Sequence, residues 1–385
     1  MNRAHLIELD PTVKQCQFLA KACGVARYTW NWALAACEKH FVETGKIAIF
    51  ADLKKQWNKE KPEWVYESPK DANQQPFSNL QKAYANFFAK RARKPTFKKK
   101  NKSRDSFYVA NDKFKLTATN VKLPLVGEVR LKEKPRFEGR ILSATVSRRA
   151  DRWFISVSFD LPDTIIAAPD RSLGVDLGIK DLAVTSDGVR IPNPKHFKKA
   201  ARRLRLSQRK VSRRQKGSAN REKARRKVEK LHYKISCCRK DTLHKATTLI
   251  ARSAQTVVIE DLNVKGMVKN HNLAKAISDC GFFEFRRQLE YKVKDLIVAD
   301  RFFPSSKLCH KCGVKKTELT LSQRSWTCTC GATHDRDLNA ALNLKSLAPA
   351  KRESTPVEIG DQGRKSRYRS PKQEPDRGHL CLHPG

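Results

Sequence analysis

Val13, Cys16, Leu19, Ala20 and Cys23 step along the chain at intervals of three and four, the spacing of one helix face, and the pattern runs from residue 12 to about residue 92. Within it, "RYTWNWAL" places Trp30 and Trp32 where helix-spaced aromatics normally pack into a core, although bases can also stack on such rings. From about 105 to 161 the period changes to two. In "RWFISVSFD", Ile155, Val157 and Phe159 alternate with polar residues, and Gly127 and Gly139 mark turns, which predicts a small antiparallel barrel or sheet. "LPDTIIAAPDRS" reads as a linker. After it, strand-like "LGVDLGIKDLAVTS" precedes a long charged helical stretch, a buried-looking strand "TVVIED", a helix around "FFEFRRQLEYKV" and a further strand "DLIVAD". Strands alternating with helices predict an α/β layer. Residues 348–385 are rich in Pro, Gly and charge and are expected to be a disordered tail.

Charge changes this picture most. The 385 residues hold 80 Lys plus Arg against 39 Asp plus Glu, a formal charge of +41, and only 39% are apolar. Such an excess repels itself unless a polyanion neutralises it, and its spread along the chain fits nucleic acid better than a membrane surface. Two segments concentrate it. Residues 90–104, "KRARKPTFKKKNKSR", hold nine basic residues and no acid, and are either a solvated linker or a phosphate-contacting strap through Lys98, Lys99 and Lys100. Residues 195–240 hold twenty Lys or Arg and two acids, Glu222 and Glu229, in a composition that still favours helix. A helical pair lying along a nucleic-acid backbone is expected there, with Arg202, Arg203, Arg213, Arg214, Arg225 and Arg226 as candidate contacts. No run reaches the length of a membrane span and the N-terminus lacks a secretory pattern, so a cytosolic, nucleoid-associated location is expected.

Of eleven cysteines, four cluster: Cys309 and Cys312 in "CHKC", and Cys328 and Cys330 in "CTC", with fifteen residues between the two pairs. Two such knuckles resemble a zinc ribbon, with one structural Zn²⁺ held by four thiolates and no open position for water. The second knuckle is one residue short, which leaves His310 or His334 as an alternative ligand. In a ribbon this small, the metal supplies on the order of 10 kcal/mol of folding free energy.

Three acids stand at places where side chains leave a sheet for its mouth. Asp176 sits in "GVDLGIKD", Glu260 ends the apolar run Val257, Val258, Ile259, and Asp337 opens the last helical pattern, where Leu338, Ala341 and Leu342 recur and Ala340 and Ala341 permit close approach. Each alone is better explained as a local cap or turn residue. Together, in one α/β layer, they form a set able to hold two divalent ions, Mg²⁺ or Mn²⁺, about 4 Å apart for phosphodiester hydrolysis.

The blocks "GVDLGIKDLAVTSDG", "VVIEDLNVKGM", "RFFPSSKLCHKCG" and "HDRDLNAALNL", in that order, resemble the signatures of TnpB, the RNA-guided nuclease family of bacterial insertion sequences related to type V CRISPR effectors. "YTWNWAL" and "KPTFKKK" also fit, so the resemblance covers roughly residues 1–347. It implies a multidomain α+β protein: residues 1–10 and 105–165 as a wedge β-barrel, 11–104 as a helical recognition domain inserted into it, 171–302 and 333–347 as a RuvC-like nuclease of RNase H fold, and 303–332 as a zinc ribbon that binds the target nucleic acid. The catalytic acids of the family carry over onto Asp176, Glu260 and Asp337; an acid, any residue, then Asn-Ala-Ala selects Asp337 over Asp335, which becomes a helix-start or supporting group. The resemblance further implies a guide RNA from the transposon end, double-stranded target DNA cut beside a transposon-adjacent motif, and a chain acting as a monomer on its RNA. A non-cleaving RNA-guided binding protein and a strand-transfer transposase are the alternatives.

Overall fold

The computed structural model describes residues 2–162, 166–320 and 323–349. Beyond residue 349, the disordered tail expected for 348–385 lies outside the described residues. The chain opens with β1 (Asn2–Asp10) and turns into the long helix α1 (Val13–Thr44). A capping box starts this helix: the Thr12 hydroxyl accepts the Gln15 amide (3.3 Å), while the Gln15 side chain accepts the Thr12 amide (2.9 Å). Helices α2 (Phe50–Glu60) and α3 (Lys70–Phe88) follow. Then come β2 (Ser106–Ala110), β3 (Lys115–Leu116), β4 (Asn120–Leu123), β5 (Gly127–Leu131), β6 (Arg140–Arg149) and β7 (Arg152–Asp160). With β1 they form a seven-stranded antiparallel sheet in the order β2-β6-β7-β1-β5-β4-β3.

The alternation in β7 explains how this sheet meets the helices. Ile155, Val157 and Phe159 point to one face and join a continuous core with Leu19, Leu34, Trp57, Phe77 and Leu80 of α1–α3. Trp30 is buried, and Trp32 packs 5.0 Å from Trp57 and 6.2 Å from Phe77, so both rings serve the core. The basic segment after α3 is no free linker. The Trp30 indole donates to Thr96 O (3.1 Å), and Asn31 brackets Lys98, accepting its amide at 2.8 Å and donating to its carbonyl at 2.9 Å.

The second half contains β8 (Ser172–Leu177), β9 (Asp181–Thr185), β10 (Arg190–Pro192), α4 (His196–Ser212), α5 (Ala219–Ser253), β11 (Thr256–Glu260), α6 (Val264–Met267), α7 (His271–Cys280), α8 (Phe282–Lys292) and β12 (Asp295–Ala299). Its five-stranded sheet has the order β10-β9-β8-β11-β12; β8, β11 and β12 run parallel, and β9 and β10 complete an antiparallel edge. A small hairpin, β13 (Ser325–Thr327) and β14 (Thr333–Asp335), leads straight into α9 (Arg336–Lys345).

Residue parity sorts the two faces of this sheet. Leu173, Val175 and Leu177 of β8 and Val257 and Ile259 of β11 pack with Leu243, Ile250, Phe285 and Leu289 from α5 and α8. The intervening residues face α9, where Val258 meets Ala299 and Leu344. Gly174 is needed there: a Cβ would lie 1.9 Å from the carbonyl oxygen of Ala341. Helix α5 also reaches the first sheet, with Tyr233 5.7 Å from Phe154 and Arg226 3.6 Å from Asp151. Among the described residues, no helix is long and apolar enough to cross a membrane.

Candidate metal centres and nucleic-acid surface

The same parity brings the three acids together. Asp176 follows Gly174 and Glu260 follows Val258 on the face toward α9, and β8 and β11 are paired up to Val175 and Ile259, one residue before each acid. Asp337 lies in the first turn of α9 above them. All three carboxyls are partly buried. Burial, and then the charges of Glu260 and Asp337, push the Asp176 carboxyl well above the usual carboxylate range, and burial also raises Glu260. The carboxyls of Glu260 and Asp337 are near enough for their charges to act on Asp176, and an all-oxygen donor set of this kind would suit a hard divalent cation. Two arginines that the sequence patterns did not single out stand beside Asp337: Arg324 at 3.4 Å and Arg336 at 3.3 Å.

Asp335 has a different task. It is the N-cap of α9, accepting the Leu338 amide at 3.0 Å, and Arg190 pairs with it at 2.8 Å. Burial pushes its carboxyl up, but the hydrogen bond from the Leu338 amide and the Arg190 guanidinium together outweigh it and hold the carboxyl below the ordinary value.

The four cysteines form the second centre. Ligand atoms of Cys309, Cys312, Cys328 and Cys330 all lie within 4.8 Å of one another. Cys309 and Cys330 sulfurs are 3.7 Å apart and those of Cys312 and Cys328 are 3.5 Å apart. A tetrahedral Zn²⁺ with ordinary thiolate bonds requires about 3.8 Å, so the donor set fits structural zinc. Both knuckles close on a left-handed glycine: Gly313 donates to Cys309 O (2.8 Å) and Gly331 to Cys328 O (3.0 Å), which accommodates the shorter Cys-Thr-Cys turn. His334 is 4% exposed and sits between Trp326 and His310, with its Nε2 3.0 Å from Cys309 Sγ. That placement suits a hydrogen bond to the thiolate, because Cys330 already stands in the fourth position.

Ribbon and acids are joined by α9. Its buried face differs from the leucine pattern expected, because Asn339 and Asn343 lie inside with Ala340, Ala341 and Leu344. Asn339 donates to Leu308 O (2.6 Å) and accepts the His310 amide (3.1 Å); Asn343 donates to Ser305 O and Leu308 O, both at 2.7 Å. The Ser305 hydroxyl in turn donates to Glu260 Oε1. Periodicity alone does not reveal these asparagines, since they are buried to satisfy backbone carbonyls about thirty-five residues away.

The candidate nucleic-acid contacts divide into two groups. Helices α4 and α5 pack as a hairpin on which Arg202, Arg203, Arg213, Arg214 and Arg226 are exposed. Arg214 is partly engaged, donating to Asn220 O at 3.1 Å, and Arg226 pairs with Asp151 and Glu222. Arg225 takes up both acids of the segment, Glu222 and Glu229. Lys99 and Lys100 are exposed, whereas Lys98 lies 3.9 Å over the Trp30 ring, and burial lowers its pKa. Beside the acids a cavity of about 380 Å³ opens, lined by Glu260, Lys265, Phe283, Arg286 and Arg301; Phe283 is 75% exposed.

Residues 156–271 match a family model described as "Probable transposase", residues 282–344 one described as "Cas12f1-like, TNB domain", and residues 1–46 one described as "Helix-turn-helix domain". In this chain the last region holds β1 and the single helix α1. A protein of Streptomyces pristinaespiralis named "Putative RNA-guided DNA endonuclease" is 42% identical over 361 residues, covering 89% of each chain. "Putative RNA-guided DNA endonuclease InsQ" of Escherichia coli K12 is 32% identical over 376 residues, covering 90% of this chain and 92% of its own. In fold, the chain resembles the protein in the cryo-EM structure of the Cas12f1-sgRNA-target DNA complex, with a TM-score of 0.52 at 13% identity over 90% of this chain and 98% of that one. The architecture is thus a Cas12-like mixed α/β fold of several domains with a zinc-ribbon-like segment. The chain belongs to the TnpB family.

Proposed function

We propose that this protein is a transposon-encoded, RNA-guided DNA endonuclease. The observation that carries the reading is the convergence of Asp176, Glu260 and Asp337 at the mouth of the five-stranded sheet, in a chain of +41 charge whose relatives are named as RNA-guided DNA endonucleases. The strand order, with an antiparallel edge at β9 and β10, supports reading this layer as the RuvC-like, RNase H-type domain, over residues 171–302 and 333–347. The antiparallel sheet of β1–β7 is read as the wedge, α1–α3 as the helical recognition domain, and residues 303–332 as a target-contacting ribbon.

In this reading Asp176 and Asp337 would hold Mg²⁺ or Mn²⁺, with Glu260 as the third acid. Two such ions would supply activation of the attacking water and stabilisation of the leaving oxygen. The residues of the chain do the rest. Arg324 and Arg336 offset the charge of Asp337 and fix its orientation. Lys265 and the exposed Phe283 beside Glu260 offer a cation and a ring face to a single strand entering the site, while Arg286 and Arg301 are both paired with Asp261. The hairpin of α4 and α5 and the exposed Lys99 and Lys100 offer charge to RNA or heteroduplex backbones, while base pairing reads sequence.

The test is expression from the native locus, sequencing of the co-purifying RNA, and challenge of that complex with a plasmid library randomised beside the target. The expected result is cleavage at guide-matched sites with one flanking motif, abolished by Asp176→Ala with RNA binding retained. Binding without cutting by the wild-type complex, or products joined to donor DNA, would replace this reading with an accessory protein or a strand-transfer transposase.

A further inference from the structure

Helix α9 is tied to the three acids by different means. Asp337 is part of it, and Asp176 is registered to it two residues beyond the Gly174–Ala341 contact. Glu260 is reached indirectly: Asn343 grips Ser305 O, and the Ser305 hydroxyl donates to Glu260 Oε1. Ser305 is 4% exposed and belongs to a tight segment in which Lys307 and Leu308 amides return to Pro304 O at 2.9 and 3.1 Å and Cys309, the first ribbon thiol, follows directly. Among the described residues, the one observed side-chain partner of Ser305 is the Glu260 carboxylate.

We propose that Ser305 is a positioning residue for Glu260, through which α9 and the first cysteine knuckle fix the orientation of that carboxylate. The inference rests on the reading of the three acids as a cation site. With Oε1 held by the hydroxyl, Oε2 would be left for a cation; without that bond, the carboxylate would have more orientations to lose on binding. Hydrogen bonds to metal-holding groups typically change metal affinity by about 10- to 100-fold when removed.

The test uses complexes of the full chain with its co-purified RNA: wild type, Ser305→Ala, Ser305→Thr and Asp176→Ala. Bound Mn²⁺ is followed by electron paramagnetic resonance, taking the signal lost in Asp176→Ala as that of the acidic site. Zinc content and target-DNA affinity are measured in parallel. Ser305→Ala is expected to raise the Mn²⁺ concentration for half-saturation about 10- to 100-fold, and the Mg²⁺ requirement for cutting in step, with zinc and DNA binding unchanged. Ser305→Thr, which keeps the hydroxyl, restores the wild-type midpoint. A Ser305→Ala midpoint equal to wild type overturns the inference alone, as does loss of zinc or DNA binding in both serine variants, which marks a purely structural role. If Asp176→Ala removes no Mn²⁺ signal, the cation-site reading itself fails and this inference with it.

Discussion

Gly174 of β8 and Ala341 of α9 meet backbone to backbone: a side chain on the glycine would lie 1.9 Å from the alanine carbonyl oxygen and 2.5 Å from the Lys345 amide. Both neighbours are main-chain atoms, so the helix has to move as a unit to make room. Gly174→Ala is expected to cost about 1–3 kcal/mol or more of stability and to tilt Asp337 away from Asp176. Thermal denaturation and cleavage by the same complex check this; unchanged melting with full cutting would show that the close approach is not required.

Zinc is expected at about one per chain, bound by the four cysteines. Cys312→Ser is expected to leave little zinc in elemental analysis and to raise amide exchange across residues 305–335, because ribbon folding and metal binding are one equilibrium. His334→Ala is expected to retain most of the zinc, since His334 approaches Cys309 from outside the four-sulfur set. Loss of zinc in His334→Ala with retention in Cys330→Ser would reverse the ligand assignment.

Asn31 holds the basic strap through both main-chain groups of Lys98. Asn31→Leu leaves that amide and carbonyl without their partner, at a cost of about 1–3 kcal/mol. Hydrogen exchange over residues 96–103 is expected to rise while α1 stays protected. Equal protection in variant and wild type would mean that Trp30 and Pro95 suffice.

Acid sensitivity is expected at Glu284. The Arg287 guanidinium, bonded at 2.7 and 2.8 Å, holds its carboxyl down to about 2, with the Gln288 amide at 3.0 Å assisting against burial. A carboxylate with a depressed folded value stabilises fully above its unfolded value near 4.5 and loses that contribution as pH falls toward 2. Glu284→Gln is therefore expected to destabilise by about 1–2 kcal/mol at pH 7, with the difference from wild type shrinking below pH 4. A difference independent of pH would assign the effect to packing.

How much of this was legible beforehand follows from the range of each interaction. Helix and strand periods, the cysteine spacing and the acids at strand ends are local patterns, and each can be read in windows of a few residues. The convergence of Asp176 with Glu260 follows from parity once both strands lie in one sheet. The pairing of β1 with β7, the turn of Lys98 onto Trp30, and the clamp by Asn339 and Asn343 have no local signature, since their partners are distant in sequence. The buried asparagines read as ordinary helix residues until the carbonyls they satisfy are located. Arg225 looked like part of a free basic surface, but local acids at positions 222 and 229 claim it.

The central claim is that Asp176, Glu260 and Asp337 form the cutting site while Asp335, two residues before Asp337, caps the helix and pairs with Arg190. The direct measurement is single-turnover cleavage of a guide-matched target by complexes carrying Asp337→Asn or Asp335→Asn, with target binding measured alongside. Asp337→Asn is expected to lose at least about a thousandfold in rate with binding intact, whereas Asp335→Asn keeps a good cap and stays within a few fold of wild type. Wild-type cutting by Asp337→Asn, or a collapse confined to Asp335→Asn, would contradict the account.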